Sequence, residues 1–423
     1  MRKNAATGAG EQTAREQTQL SLRDRVRGAL YETVVTCGLA VVLELLEEER
    51  TVRCGPRYRH DAKREAYRAG HVESSLVLGG RQVKMKRPRA RTRRGEEVEL
   101  PSWELWARQD PLTERAMEQM LVGVSTRRYA RSLEPAPEGV ESRGTGKSAV
   151  SRRFVLGTEK KLKELTERDL SGLRLAVLMI DGVYIGEHVI ILTIGVEEDG
   201  KKHLLGLCEG ATENATICKR LLESLVERGL RTDRSLLVVV DGSKALPKAV
   251  RAVFGERVLI QRCQQHKKRN VLDALPKSKR ESVKRTINEA YATDDQQRAK
   301  RMLENLARRL EDEHPSAAAS VREGIEETLT VKGLRLTDAL EKALSTTNAI
   351  ENLVGQVRDL SGRVKRWRGG RMILRWCAAS VLEAESHFRR VKGHAGMSAL
   401  VRALRGHDIT LDSASPESAV TAA

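Results

Sequence analysis

At 423 residues the chain is long enough for two or three domains, and its 40% apolar content can fill real cores. Seventy-six basic against fifty-eight acidic residues leave a net charge of +18, which makes nucleic acid the leading partner. Six scattered cysteines without a CxxC pair, a polar first 25 residues and no apolar run of membrane-span length argue for free thiols and a cytoplasmic protein, associated with the nucleoid when bound to DNA.

Residues 1–24, rich in Gly, Ala, Thr, Gln and charge, are expected to be disordered. From 25 to 169 the pattern predicts a mainly helical DNA-binding region. Helical spacing runs over Val26–Glu49, Pro101–Leu133 and Lys147–Asp169, and a short strand, Gln82-Val-Lys-Met, follows Gly79-Gly80. Between Arg81 and Arg94, eight of fourteen residues are Arg or Lys and none is acidic. Two segments read as the turn and second helix of a helix-turn-helix: Met120 to Tyr129, with Gly123 and Ser125 ahead of Arg127 and Arg128, and Gly146 to Phe154, with Ser148 ahead of Arg152 and Arg153. These four arginines are the candidate DNA contacts of this region.

From Leu173 the periodicity changes. Dense apolar runs predict strands at 174–181, 188–196, 203–208, 236–241 and 257–263, with helices over 214–228 and 244–254. Three strands joined by short turns, then helix, strand, helix, strand, is the element order of a ribonuclease-H-like mixed sheet, first part 170–263. Residues 264–340 carry almost no β signal and read as an all-α insertion, with Met302, Leu303, Leu306 and Leu310 on one helix face. A second part of the core is expected over 341–404, and residues 405–423 read as a disordered tail.

Asp181 and Asp241 each close an apolar run and precede a glycine. Carboxylates at the carboxyl ends of neighbouring strands stand where open α/β sheets place their sites. A converging pair repels itself unless cations bind or a proton is retained, and oxygen ligands select Mg²⁺ or Mn²⁺ over zinc. A third carboxylate is expected from the helix opened by Ser345-Thr-Thr-Asn348-Ala-Ile-Glu351. There Glu351 shares a face with Asn348 and Gly355, although Asn348-x-x-Glu351 also reads as a capping box. Cys263-Gln-Gln-His266 has the spacing of half a zinc site but no second pair nearby, so His266 is read as a site-orienting residue, and Cys263, His266 and Asn348 as supporting residues. A phosphate loop at Gly144-Thr-Gly-Lys-Ser148 is excluded, because Glu141 stands where the first glycine is needed. Finally, Lys365, Arg366 and Arg368 flank Trp367, a basic segment with an aromatic suited to stacking on a base at a DNA end; a core Trp is the alternative.

Together these segments resemble bacterial insertion-sequence transposases of the Mutator type: Asp181-Gly-Val-Tyr, Asp241-Gly-Ser, Cys263-x-x-His266, Ser345 to Asn352, Tyr67-Arg-Ala-Gly70, Lys86-Arg-Pro-Arg-Ala-Arg91 and Arg389-Arg-Val-Lys-Gly393, in order over roughly residues 30 to 403. The resemblance implies a DDE transposase with Asp181, Asp241 and Glu351 as catalytic triad and metal ligands for two Mg²⁺ (or Mn²⁺) ions. It implies double-stranded DNA as partner, both element ends and target, cut and joined without ATP or a covalent protein–DNA intermediate. Synapsis of two ends implies a homodimer during reaction. The alternative is a domesticated or inactive copy that binds DNA and regulates without cutting.

Overall fold

The computed structural model describes residues 33, 36–59, 64–78, 80–103, 111–133, 141–185, 187–210, 215–243, 245–362, 364 and 366–414. The expected disorder at 1–24, the end of the chain beyond 414, and Lys365 lie outside them. Two compact units divide the chain, Met1–Gly157 and Thr158–Ala423. The boundary therefore falls inside a helix, Lys147–Glu167, rather than after Asp169.

In the first unit, helix α1 (36–54) is followed by a long hairpin, β1 (Ala66–Leu78) and β2 (Arg81–Thr92). The hairpin is extended by β3 (Glu97–Val98) and β4 (Ser142–Arg143) into a four-stranded sheet. This corrects the expectation of one short strand in a mainly helical region. The basic run is itself the second strand of the hairpin, because buried Val83 and Met85 alternate with Lys84 and Lys86, and Met85 packs with Val42, Leu46, Leu76 and Leu100. At the turn Gly80 adopts φ +77°, and its carbonyl accepts a 2.8 Å hydrogen bond from the buried Tyr129 hydroxyl.

Neither helix-turn-helix forms. Helix α2 (Pro111–Leu121) ends at a turn through Gly123, but only a single 3₁₀ turn, Tyr129–Ser132, follows, and Arg127 and Arg128 lie exposed ahead of it. The second segment does open helix α3 (Lys147–Glu167), yet the element before it is β4 rather than a helix. On α3, Arg152 is exposed and Arg153 half-buried. The two segments pack against each other through Tyr129 and Val150.

The second unit is a mixed α/β structure built on a five-stranded sheet in the order β7-β6-β5-β8-β9. Strands β5 (Leu175–Ile185), β6 (His188–Glu197) and β7 (Lys202–Gly210) are antiparallel, and β8 (Leu236–Val240) and β9 (Val258–Arg262) run parallel to β5. The near-continuous burial of Ala176–Asp181, Val189–Val196 and Leu236–Val240 reflects coverage on both faces. One face packs against α4 (Ala215–Glu227) and α5 (Ala245–Phe254). Beyond β9 come α6 (Gln264–Asp273), α7 (Lys277–Ala292), α8 (Gln296–Leu310) and α9 (Pro315–Arg322), which share a separate apolar cluster around Val283, Ile287, Leu303 and Leu306.

Helices α10 (Asp338–Leu344), α11 (Asn348–Ser361), α12 (Gly370–Glu385) and α13 (Met397–Ala414) then cover the other face of the sheet. Residues 405–414 are thus helical, not the expected disordered tail: Leu404 is buried in the core, and Asp408 pairs with Arg257 at 3.0 Å and accepts a 2.8 Å bond from the Ser235 amide. No helix among the described residues is long and apolar enough to cross a membrane.

Candidate active site

Strand β5 does not end at Asp181; it continues to Ile185 as one arm of the hairpin with β6. What ends there is its parallel pairing. The β5–β8 ladder runs from Val177–Leu237 to Ile180–Val240, so Asp181 and Asp241 are the next residues on adjacent strands. Their convergence follows from register alone. Both are nearly buried, Asp181 at 4% and Asp241 at 8% exposure.

Burial, with Asp241 adding repulsion and His266 opposing it, pushes the Asp181 carboxyl up to about 7. Asp241 turns one oxygen to the Ser243 amide at 2.9 Å. Gly242 matters for what comes next: a Cβ there would lie 2.9 Å from the Asn270 side-chain amide and 3.9 Å from the Cβ of His266. Its absence lets α6 pack against the strand end and bring His266 to the carboxylates.

Helix α6 starts directly from β9. Cys263 is its N-cap residue, its amide bonded to the Val240 carbonyl at 2.7 Å, and the Gln264 amide bonds the Ser345 carbonyl at 2.9 Å. The second bond ties the start of α6 to the segment that opens α11. Burial alone would raise the Cys263 thiol, but hydrogen bonds with His266 and Thr347 outweigh it and hold the thiol below the ordinary cysteine value. The same bond to Cys263, against the effect of burial and with Asp181 and Asp241 adding, pushes His266 up to about 9.

On α11 the N-cap residue is Thr347, and Asn348 is already the first helical residue, so the Asn348–Glu351 capping box does not form. Glu351 is left facing the site, its carboxylate 3.8 Å from Nε2 of His266. The supporting role expected of Asn348 falls to its neighbour. Thr347 is fully buried, its hydroxyl 3.4 Å from Nδ1 of His266 and hydrogen-bonded to Asp181, whereas Asn348 is exposed and absent from the cavity lining.

These residues share one cavity of about 480 Å³ lined by Asp181, Asp241, His266 and Glu351, together with Gly182, Val183, Tyr184, Arg269, Val354 and Arg358. Asp181, His266 and Glu351 each offer a ligand atom, and these atoms lie within 4.8 Å of one another. The donor set fits a divalent cation: three carboxylates line the cavity, and a bound cation would offset the burial that raises the Asp181 carboxyl and favour loss of the proton from His266.

A profile of the Mutator family of transposases matches residues 9–390. The chain belongs to that family. It is similar to the transposase for insertion sequence element IS6120 of Mycolicibacterium smegmatis, 29% identical over 65% of this chain and 85% of that protein. It is also similar to the transposase for insertion sequence element IS256 in transposon Tn4001 of Staphylococcus aureus, 28% identical over 81% and 87%. The transposase for insertion sequence element ISRM5 of Rhizobium meliloti is 26% identical over 85% and 89%.

Other candidate residues of this Mutator-family chain lie apart from the cavity lining. Arg366 and Arg368 are exposed. Trp367 is half-buried, packed on the core and edge-on to Trp376 at 6.4 Å and 86°. Its stacking surface is therefore partly taken by the protein. Sequence reasoning missed Thr347, Tyr184, Arg269 and Arg358. Helical spacing offered a signal for the arginines, since Arg269 is one turn from His266 and Arg358 two turns from Glu351.

Proposed function

We propose that this chain is an active DDE transposase with a ribonuclease-H-like core interrupted by an all-α insertion between its second and third acids. Asp181, Asp241 and Glu351 hold divalent metal, Mg²⁺ or Mn²⁺ and two ions in number, and the chain cuts and joins double-stranded DNA at the terminal inverted repeats of its element. The observation that carries this reading is the meeting of three carboxylates from a strand interior, a strand end and a helix start in one cavity. The sheet order β7-β6-β5-β8-β9 and the separate apolar cluster of α6–α9 support the fold assignment.

The metal, when bound, supplies positive charge that activates an attacking oxygen and stabilises the leaving one in phosphodiester displacement. The chain's own residues supply the rest. Asp181 would hold the ion as a carboxylate, its proton released to solvent, and burial keeps water from screening its charge. Thr347 and His266 hold the carboxylates in place through the hydroxyl–imidazole contact. The basic surface of the first unit, with Arg127, Arg128, Arg152 and Arg153, serves binding of the ends, and Arg366 and Arg368 serve binding near the cut. Synapsis of two ends makes a homodimer the reacting species.

Gene-flanking DNA should contain an inverted repeat at each side. Incubating that DNA with the full chain and Mg²⁺ should release 3′-hydroxyl ends at the repeat boundary and join them to a second duplex. Flanks with repeats that the protein binds but never cuts in Mg²⁺ or Mn²⁺ would replace the enzyme with a DNA-binding regulator.

A further inference from the structure

The ligand atoms that stand closest together in the cavity are not those of the three carboxylates. Among the described residues, the set that closes to within 4.8 Å comes from Asp181, Glu351 and His266; Asp241 lines the same cavity without joining that set. The hydrogen bonds of His266 run to Cys263 and Thr347, and none reaches Asp181 or Glu351 among the described residues. Its Nε2 faces the Glu351 carboxylate at 3.8 Å, too far for a hydrogen bond. That separation lies within the span of two ligands each ~2.0–2.2 Å from a shared ion.

We infer that His266 is itself a metal ligand, its Nε2 joining Asp181 and Glu351 in a mixed nitrogen–oxygen site that takes Mn²⁺ in preference to Mg²⁺. A histidine that binds metal donates its other ring nitrogen to a fixed partner, which sets the tautomer and leaves the first lone pair for the ion. Nδ1 has such a partner: the hydroxyl of Thr347 stands 3.4 Å from it, and both Thr347 and the bonded Cys263 are fully buried. The bond from the Gln264 amide to the Ser345 carbonyl ties these two supports together. In the metal-free protein the ring carries a proton, which the ion displaces on loading. An all-oxygen set suits Mg²⁺, whereas imidazole favours first-row transition ions. The oxygen-only set expected from the sequence thus gains a nitrogen, and Asp241 is left for the second ion.

This inference rests on the proposed function for the need of metal, and its test reads binding without DNA. The full chain is loaded with Mn²⁺ and the electron spin echo of the ion is recorded. Modulation from a coordinated imidazole nitrogen is expected, altered when the chain is grown with nitrogen-15 histidine and lost in His266→Asn. The Mn²⁺ midpoint of that variant should rise by at least ~10-fold, the low end even for a supporting residue, and the Mg²⁺ midpoint by less. Asp181→Asn, which takes a carboxylate from the same ion, should also lose the modulation, so the test does not depend on His266→Asn folding. No nitrogen modulation in the wild type, or modulation that persists unchanged in either variant, would overturn the assignment. A chain that loads Mn²⁺ through His266 yet never nicks DNA would sink the enzyme reading and keep the ligand; nicking without nitrogen modulation would do the reverse.

Discussion

Asp181 and Asp241 stand side by side on adjacent parallel strands, each one residue beyond the Ile180–Val240 pair that ends the β5–β8 ladder. That single register relation places two acids 60 positions apart in sequence at one point, where β5 parts from β8 and continues alone with β6. A one-residue slip of either strand would turn its acid to the opposite face of the sheet. The register of the core therefore fixes where the two acids stand.

The buried pair makes the metal-free protein sensitive to pH. Asp181 titrates near 7 when folded, well above the ordinary carboxylate value, so between about pH 4 and 7 the folded state binds more protons than the unfolded one. Its contribution to stability falls as pH rises through that window. In EDTA, the wild-type urea midpoint should drop from pH 4.5 to pH 7 relative to Asp181→Asn, whose amide does not titrate, by up to a few kcal/mol at ~1.4 kcal/mol per pKa unit. Parallel pH profiles for the two proteins would remove the burial-raised Asp181 carboxyl from the account.

Thr347, not Asn348, is the group behind the carboxylates. Thr347→Val should lower the cleavage rate by about 10- to 100-fold, the usual cost of losing a supporting contact in a metal site. Asn348→Ala, at an exposed first-turn position, should change rate and stability little. Single-turnover kinetics on an end duplex decides, and equal effects of the two substitutions would return the role to the helix start as a whole.

Trp367 is half core. Truncating a fully buried Trp costs ~3–5 kcal/mol, and Trp367, with part of its surface exposed and Trp376 against its edge, should cost roughly half of that on mutation to Ala. Chemical denaturation measures it. Unchanged stability with weakened strand transfer would instead favour stacking on DNA.

In the first unit, the four arginines sit on a turn and on a helix that pack together through Tyr129 and Val150. If they hold DNA phosphates, each full-length Arg→Gln variant at 127, 128 or 152 should reduce the slope of log affinity against log salt by about 1, with equal loss on repeat and scrambled DNA. A loss confined to repeat DNA would make that arginine a base-reading residue.

The sequence carried much of the second unit because its strands are buried on both faces and their apolar runs are unbroken. Predicted strands at 188–196, 203–208 and 236–241 lie within a few residues of the observed ones. It misjudged where local pattern and tertiary pairing disagree. Polar Asp181 and Gly182 looked like a strand end, yet β6 carries the pairing through to Ile185. The strand at Gln82–Met85 looked short because basic residues follow it, yet pairing with β1 carries β2 through that run to Thr92. Asn348 looked like a cap, but Thr347 lies one residue earlier, where its hydroxyl also meets His266. The missed arginines of the cavity stand one and two helical turns from His266 and Glu351, a spacing the sequence carries; the packing of α6 and α11 about the strand ends, which brings the two helices to one place, it does not.

The most direct test of the central claim is cleavage of an end-containing duplex by the full chain and by Asp181→Asn, Asp241→Asn and Glu351→Gln, with DNA binding measured in parallel. Each substitution removes one charge and almost no volume. The account predicts that the wild-type chain nicks the duplex only when Mg²⁺ or Mn²⁺ is present, and that each variant binds the duplex normally while nicking falls by more than the ~100-fold upper range for a supporting residue. Nicking by any of the three at the wild-type rate, or wild-type nicking that persists in EDTA, would contradict it.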